Sequence, residues 1–120
     1  MPLYLSSENK NDLLGNLILG NSWETFVVEQ IITHFPDWNP TFYRIATGAE
    51  MDLVLSRGNK RIGIEIKASS TSKVTKGFWN AIEDLKLEKT WLIAPIHESY
   101  FIREDVKVSS LDEFLRDHQN

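Results

Sequence analysis

The chain of 120 residues contains no cysteine, so disulfides and thiolate metal sites are excluded, and a cytoplasmic location is the expectation. Long apolar runs are also missing. A helix needs about 20 apolar residues to cross a bilayer, and the apolar stretch Leu13–Leu19 is broken by Gly15 and Asn16. The first residues lack the basic-then-apolar pattern of a signal peptide, and no membrane partner is expected. Positive charge is in deficit: 13 Lys and Arg face 17 Asp and Glu, a net charge of −4. The pI is about 5.3. A broadly cationic nucleic-acid binder is excluded, because phosphate affinity comes mostly from Lys and Arg. A local basic rim around an acidic site is not.

Several catalytic signatures are absent. His97-Glu98 has no second histidine one turn later, so no zinc-protease helix follows. Ser70-Thr71-Ser72-Lys73 has the Ser-x-x-Lys spacing without its companion motifs. His34, His97 and His118 are scattered, and the four tryptophans read as core or interface residues. There is no internal repeat and no low-complexity tract.

What remains is a globular composition, 42% hydrophobic and 25% charged, with length for a single modest core. Residues 1–21 read as a leader with a possible short helix over Asp12–Leu19, and residues 22–120 as one domain. A core of this size is compatible with a homodimer.

The most informative stretch runs from Glu50 to Lys67. Met51, Leu53 and Leu55 alternate with Glu50, Asp52, Val54 and Ser56; after Gly58-Asn59, Ile62, Ile64 and Ile66 alternate with Arg61, Gly63, Glu65 and Lys67. Period-two alternation around Gly-Asn predicts a hairpin with a two-residue turn. In that register Leu55 faces Ile62, Leu53 faces Ile64 and Met51 faces Ile66. The other face pairs Asp52 with Glu65 and Glu50 with Lys67. Directly opposed carboxylates repel, and a shared proton or a hard divalent cation relieves them. Lys67 lies on the same face. It is either beside such an ion or half of a cross-strand pair with Glu50.

Around the hairpin, Ser22–Phe35 predicts a helix ended by Pro36. Trp23, Phe26, Val27, Ile31 and His34 form its apolar stripe, and Val28, Ile32 and Phe35 widen it. Asn21 with Glu24 fits a capping box; Glu24 also points partly inward, so it reads first as a cap and, as the alternative, as a buried acid aimed at the hairpin. Thr41–Ile45 predicts a strand, Val74–Leu85 a helix, and Thr90–Pro95 a strand buried on both faces. Phe101-Ile102 and Val106–Val108 suggest a further edge ribbon. Ser110–Leu115 suggests a terminal helix capped by Ser109 or Ser110. The fold class is therefore α/β (α+β), a central mixed sheet flanked by helices.

The order of elements, with Glu24 on the first helix, Asp52 on the second strand and Glu65-Ile66-Lys67 on the third, resembles the PD-(D/E)xK nuclease-like superfamily. That resemblance implies a restriction-endonuclease-like αβββαβ core. More closely, the strings Gly20-Asn21-Ser22-Trp23-Glu24, Gly48-Ala49-Glu50-Met51-Asp52-Leu53-Val54, Ile64-Glu65-Ile66-Lys67-Ala68-Ser69 and Gly77-Phe78-Trp79-Asn80 are similar to a C-terminal domain of unknown function. That domain follows an ATPase domain in many prokaryotic proteins. The chain has no Gly-x-x-x-x-Gly-Lys-Ser/Thr loop, so by itself it should not hydrolyse ATP.

The resemblance implies a Mg²⁺- or Mn²⁺-dependent phosphodiester hydrolase acting on nucleic acid. Asp52 and Glu65 would bind the ion, the Ile66 carbonyl would add an oxygen, and Glu24 would hold the ion through water or bind a second one. Lys67 would orient the attacking water. Arg61, Lys73 and Lys76 are candidate phosphate contacts, or simply a solvated face. The alternative is a non-catalytic module on the same scaffold that works with an ATPase domain or protein.

Overall fold

The computed structural model describes residues 22–70 and 73–117. Helix α1 spans Ser22–His34, followed by strands β1 (Asn39–Arg44), β2 (Glu50–Arg57) and β3 (Lys60–Ile66). Helix α2 (Lys76–Leu85) leads to β4 (Lys89–Ile93), then β5 (Tyr100–Arg103), β6 (Val106–Ser109) and α3 (Leu111–Asp117). The expectations for residues 1–21, including the leader helix and the Asn21 cap, lie outside the described residues.

All six strands join one mixed sheet in the order β1-β2-β3-β4-β6-β5. The first three are antiparallel neighbours, β4 runs parallel to both β3 and β6, and β5 closes the far edge antiparallel to β6. The expected ribbon is present, but of its two strands β6 sits inside the sheet and β5 alone lies at an edge. The composition explains this: Val106 and Val108 are buried, whereas all four residues of β5 are exposed.

Two apolar layers follow. On one face, Val27 and Ile31 of α1, Phe35 just after it and Phe114 of α3 cover Leu53, Leu55, Ile64, Ile66 and Ile93. Phe114 is the joint of this layer, with the rings of Phe35 and Trp91 at 5.6 and 5.0 Å. On the other face, Phe78, Ala81 and Ile82 of α2 cover Met51, Val54, Leu92 and Val106. Each fully buried aliphatic or aromatic side chain contributes about 1.5–3 kcal/mol, so the two layers hold the sheet between the helices. Strand β4 contributes Trp91 and Ile93 to one layer and Leu92 to the other, as its unbroken apolar run requires.

Local chemistry sets the element ends. The Thr75 hydroxyl caps α2 by accepting the Phe78 N–H at 3.2 Å. The Ser110 hydroxyl accepts the Glu113 N–H at 3.1 Å and caps α3. The hairpin turn is Gly58-Asn59, with Gly58 at φ +63°. Gly77 is required where the first turn of α2 meets the 45–49 loop: a Cβ there would run into the Gly48 carbonyl oxygen.

Two details of the predicted packing are corrected. Phe26 is 49% exposed and His34 is also exposed, so the buried stripe of α1 is narrower than its sequence suggests. Phe26 lies outside it, its ring stacked beside Trp23 at 6.4 Å. Met51 does not face Ile66. Between Thr41↔Val54 and Tyr43↔Met51, β1 advances two residues and β2 three, so β2 carries an extra residue at Asp52–Leu53. That bulge turns Met51 to the α2 layer while Leu53 and Ile66 stay in the α1 layer.

Candidate functional site

The same irregularity builds the site. The β2–β3 ladder holds the predicted pairs Leu55↔Ile62 and Leu53↔Ile64, and the described pairing ends there. Beyond it, side chains replace backbone partners. The Ile66 N–H donates to Asp52 Oδ2 at 2.8 Å, and the Asp52 N–H donates to Glu65 Oε1 at 3.2 Å. Each acid thus bonds across the hairpin to main chain, which keeps the two carboxylates together where the strands part. The predicted Asp52–Glu65 juxtaposition is present, fixed by these reciprocal bonds.

Glu65 is buried between β2 and β4, and it pairs with Leu92 on the parallel side. Burial, reinforced by the Asp52 charge, pushes its carboxyl up to about 8. Burial also raises Asp52, against the lowering pull of the Ile66 N–H and the Lys67 ammonium. Lys67 Nζ lies 3.6 Å from Glu65 Oε2. The predicted Glu50–Lys67 pair is not formed: Glu50 bonds Arg44 at 3.2 Å on the neighbouring strand. The bulge accounts for this, because it removes Glu50 from the register that would have placed it opposite Lys67.

Helix α1 closes the site from the other side. Trp23 Nε1 donates to the Lys67 carbonyl at 2.9 Å, and the Lys67 N–H donates to the Ile93 carbonyl at 2.9 Å. These bonds pin the chain after β3 to both α1 and β4. One residue along from Trp23, Glu24 is half-buried, and its carboxyl is raised first by burial and then by the Asp52 charge, with Arg44 opposing. Glu24 therefore lies within the electrostatic reach of the hairpin acids. Trp23 and Arg44 both shape the site. Sequence reasoning assigned Trp23 to the core or an interface and Arg44 to no role: the Lys67 carbonyl lies 44 residues from Trp23, and Arg44 meets Glu50 only through the β1–β2 pairing.

The three candidate phosphate contacts separate. Arg61 donates to the Leu85 carbonyl at 3.2 Å, at the C-terminal end of α2 and toward the hairpin turn. Lys76 is exposed at the start of α2. Lys73 shares a groove with Lys67.

Carboxylate oxygens are the donor type that a hard cation takes. Two carboxylates meet at the strand ends, a third acid is close, and one ammonium faces them. Among the described residues, no three His, Cys, Asp or Glu side chains stand close enough to enclose an ion by themselves. No described helix is long and apolar enough to cross a membrane.

A family described as a domain of unknown function (DUF4143) matches residues 19–114. Two curated relatives, uncharacterised proteins of Mycobacterium bovis and Mycobacterium tuberculosis, are each 30% identical over 112 residues. The match covers 92% of this chain and 25% of each relative, so the chain spans a quarter of the length of the curated relatives it matches. No solved structure matches significantly.

Proposed function

The chain belongs to the DUF4143 family of domains of unknown function, and from the chemistry of its site we propose a metal-dependent phosphodiester hydrolase of the PD-(D/E)xK nuclease-like kind, acting on nucleic acid. The observation that carries this proposal is the Asp52–Glu65 pair where β2 and β3 part, Glu65 buried and Asp52 half-buried, with Lys67 3.6 Å from Glu65. The element order α1-β1-β2-β3-α2-β4 is that of the restriction-endonuclease-like core, and supports the same view.

Asp52 and Glu65 would hold Mg²⁺ or Mn²⁺, the Ile66 carbonyl would offer a further oxygen, and Glu24 would contribute through water. When bound, the ion supplies an acidified water and polarises the phosphoryl oxygen. The chain's own residues do the rest. The hydrogen bonds from Ile66 and Asp52 fix the two carboxylates. Lys67, held on both sides by Trp23 and Ile93, places its ammonium to orient the attacking water and offset charge developing on the phosphoryl group.

A second function has its own support. Asp52 and Glu65 are each satisfied within the hairpin, and the relatives are about four times as long as the chain. The acids would then lock a structural junction in a non-catalytic module that works beside an ATPase.

Calorimetric titration of Mn²⁺ separates the two. Hydrolase chemistry requires saturable binding in the wild type and its loss in Asp52→Asn, which keeps an oxygen acceptor for the Ile66 N–H. No saturable heat in the wild type would sink the metal site and leave the module.

A further inference from the structure

At the C-terminal ends of β3 and β4, beside Lys67, the surface opens into a groove of about 270 Å³. Leu92 and Ala94 give it an apolar floor. Ser70 and Lys73 form one wall, and Tyr100 and Ile102 of the edge strand form the other. Tyr100 is 49% exposed, yet the ladder to Val108 holds its backbone in place. A half-exposed aromatic on a fixed strand is a ready stacking platform. Lys73 has no carboxylate partner among the described residues, whereas Arg44, Arg103, Lys107 and Arg116 each have one.

Size and charge narrow the occupant. The groove is smaller than the roughly 300–1,000 Å³ of drug-sized ligand sites, which suits one base with its phosphate and not a double helix. Duplex binding draws its affinity from many cationic contacts with phosphate, and this chain carries a net charge of −4. Single strands are bound differently, by stacking worth about 1–3 kcal/mol per base plus a few backbone contacts.

We propose that this groove seats one unpaired nucleotide of a single-stranded nucleic acid, with its base on Tyr100 and its phosphate on Lys73 and the Ser70 hydroxyl. Lys67 borders both the groove and the acid pair, so the seated strand runs into the hydrolytic site. The proposal rests on that site for its biological use, but binding in the groove needs no metal.

The test is fluorescence anisotropy of the 120-residue chain with a labelled oligothymidine, a labelled oligouridine and an oligothymidine–oligoadenosine duplex, all in EDTA. At least one single strand should bind, and should bind at least about tenfold more tightly than the duplex. Tyr100→Ala should weaken it about 5- to 150-fold, the stacking energy converted at about 1.4 kcal/mol per factor of ten. Tyr100→Phe should preserve it. Lys73→Ala should weaken binding and lower the salt dependence by about one counterion. Equal or tighter duplex binding, or an unchanged Tyr100→Ala, overturns the proposal. Strand binding in EDTA without Mn²⁺ binding in calorimetry would refute the hydrolase and retain the groove; the reverse would refute the groove alone.

Discussion

Glu65→Gln removes the charge that is hardest to hold in this fold while keeping an oxygen to accept the Asp52 N–H. The folded carboxyl titrates near 8, against 4.5 when freely solvated. Between those values the folded chain keeps a proton that the unfolded chain has lost. Wild-type stability therefore falls as pH rises from about 4.5 to about 8 and levels off above. At about 1.4 kcal/mol per pH unit, that interval sets a ceiling of roughly 5 kcal/mol. The proton is shared with Asp52, itself raised, and the Lys67 ammonium offsets part of the charge, so about 2 kcal/mol is expected. Urea denaturation of wild type and Glu65→Gln at about pH 5.5 and about pH 9 measures it. The two proteins should be similarly stable at the lower pH, and the variant should be more stable by about 2 kcal/mol at the higher. A metal must displace the same proton, so apparent Mn²⁺ affinity should rise about tenfold per pH unit below 8. A wild type that gains stability between those two pH values, or a variant that is weaker at the higher one, refutes the buried-proton account.

Two further changes probe the packing that supports the site. Gly77→Ala places a methyl group against the Gly48 carbonyl and forces α2 away from the loop before β2, so thermal denaturation should show a loss of about 1–3 kcal/mol. Thr90→Val should do the opposite. The Thr90 hydroxyl is buried with no hydrogen-bond partner among the described residues, and an apolar replacement of the same shape should raise stability by about 1 kcal/mol in the same assay.

Much of the fold was legible in the sequence because its signals are local. The Gly58-Asn59 turn, the facing of Leu55 with Ile62 and Leu53 with Ile64, and the twice-buried β4 all follow from pattern and turn chemistry. The Ser110 cap and the end of α1 near Pro36 follow from side-chain hydrogen bonding and ring sterics. The acids Asp52 and Glu65 were legible as a pair for the same reason, since one hairpin brings them together.

The tertiary structure decided the rest. An extra residue in β2 sends Met51 to the α2 layer and Glu50 to Arg44, and Lys67 takes Glu65 as its partner. Alternation cannot reveal such a bulge, because Asp52 and Leu53 look regular until the Ile66 N–H claims the Asp52 carboxylate. The insertion of β6 between β4 and β5, and the reach of Trp23 to the Lys67 carbonyl, likewise depend on contacts between distant parts of the chain. The sequence determined which side chains could carry charge into the core. Only the closed sheet determined which of them meet, because burial and strand order set the partner and the energy of each buried charge.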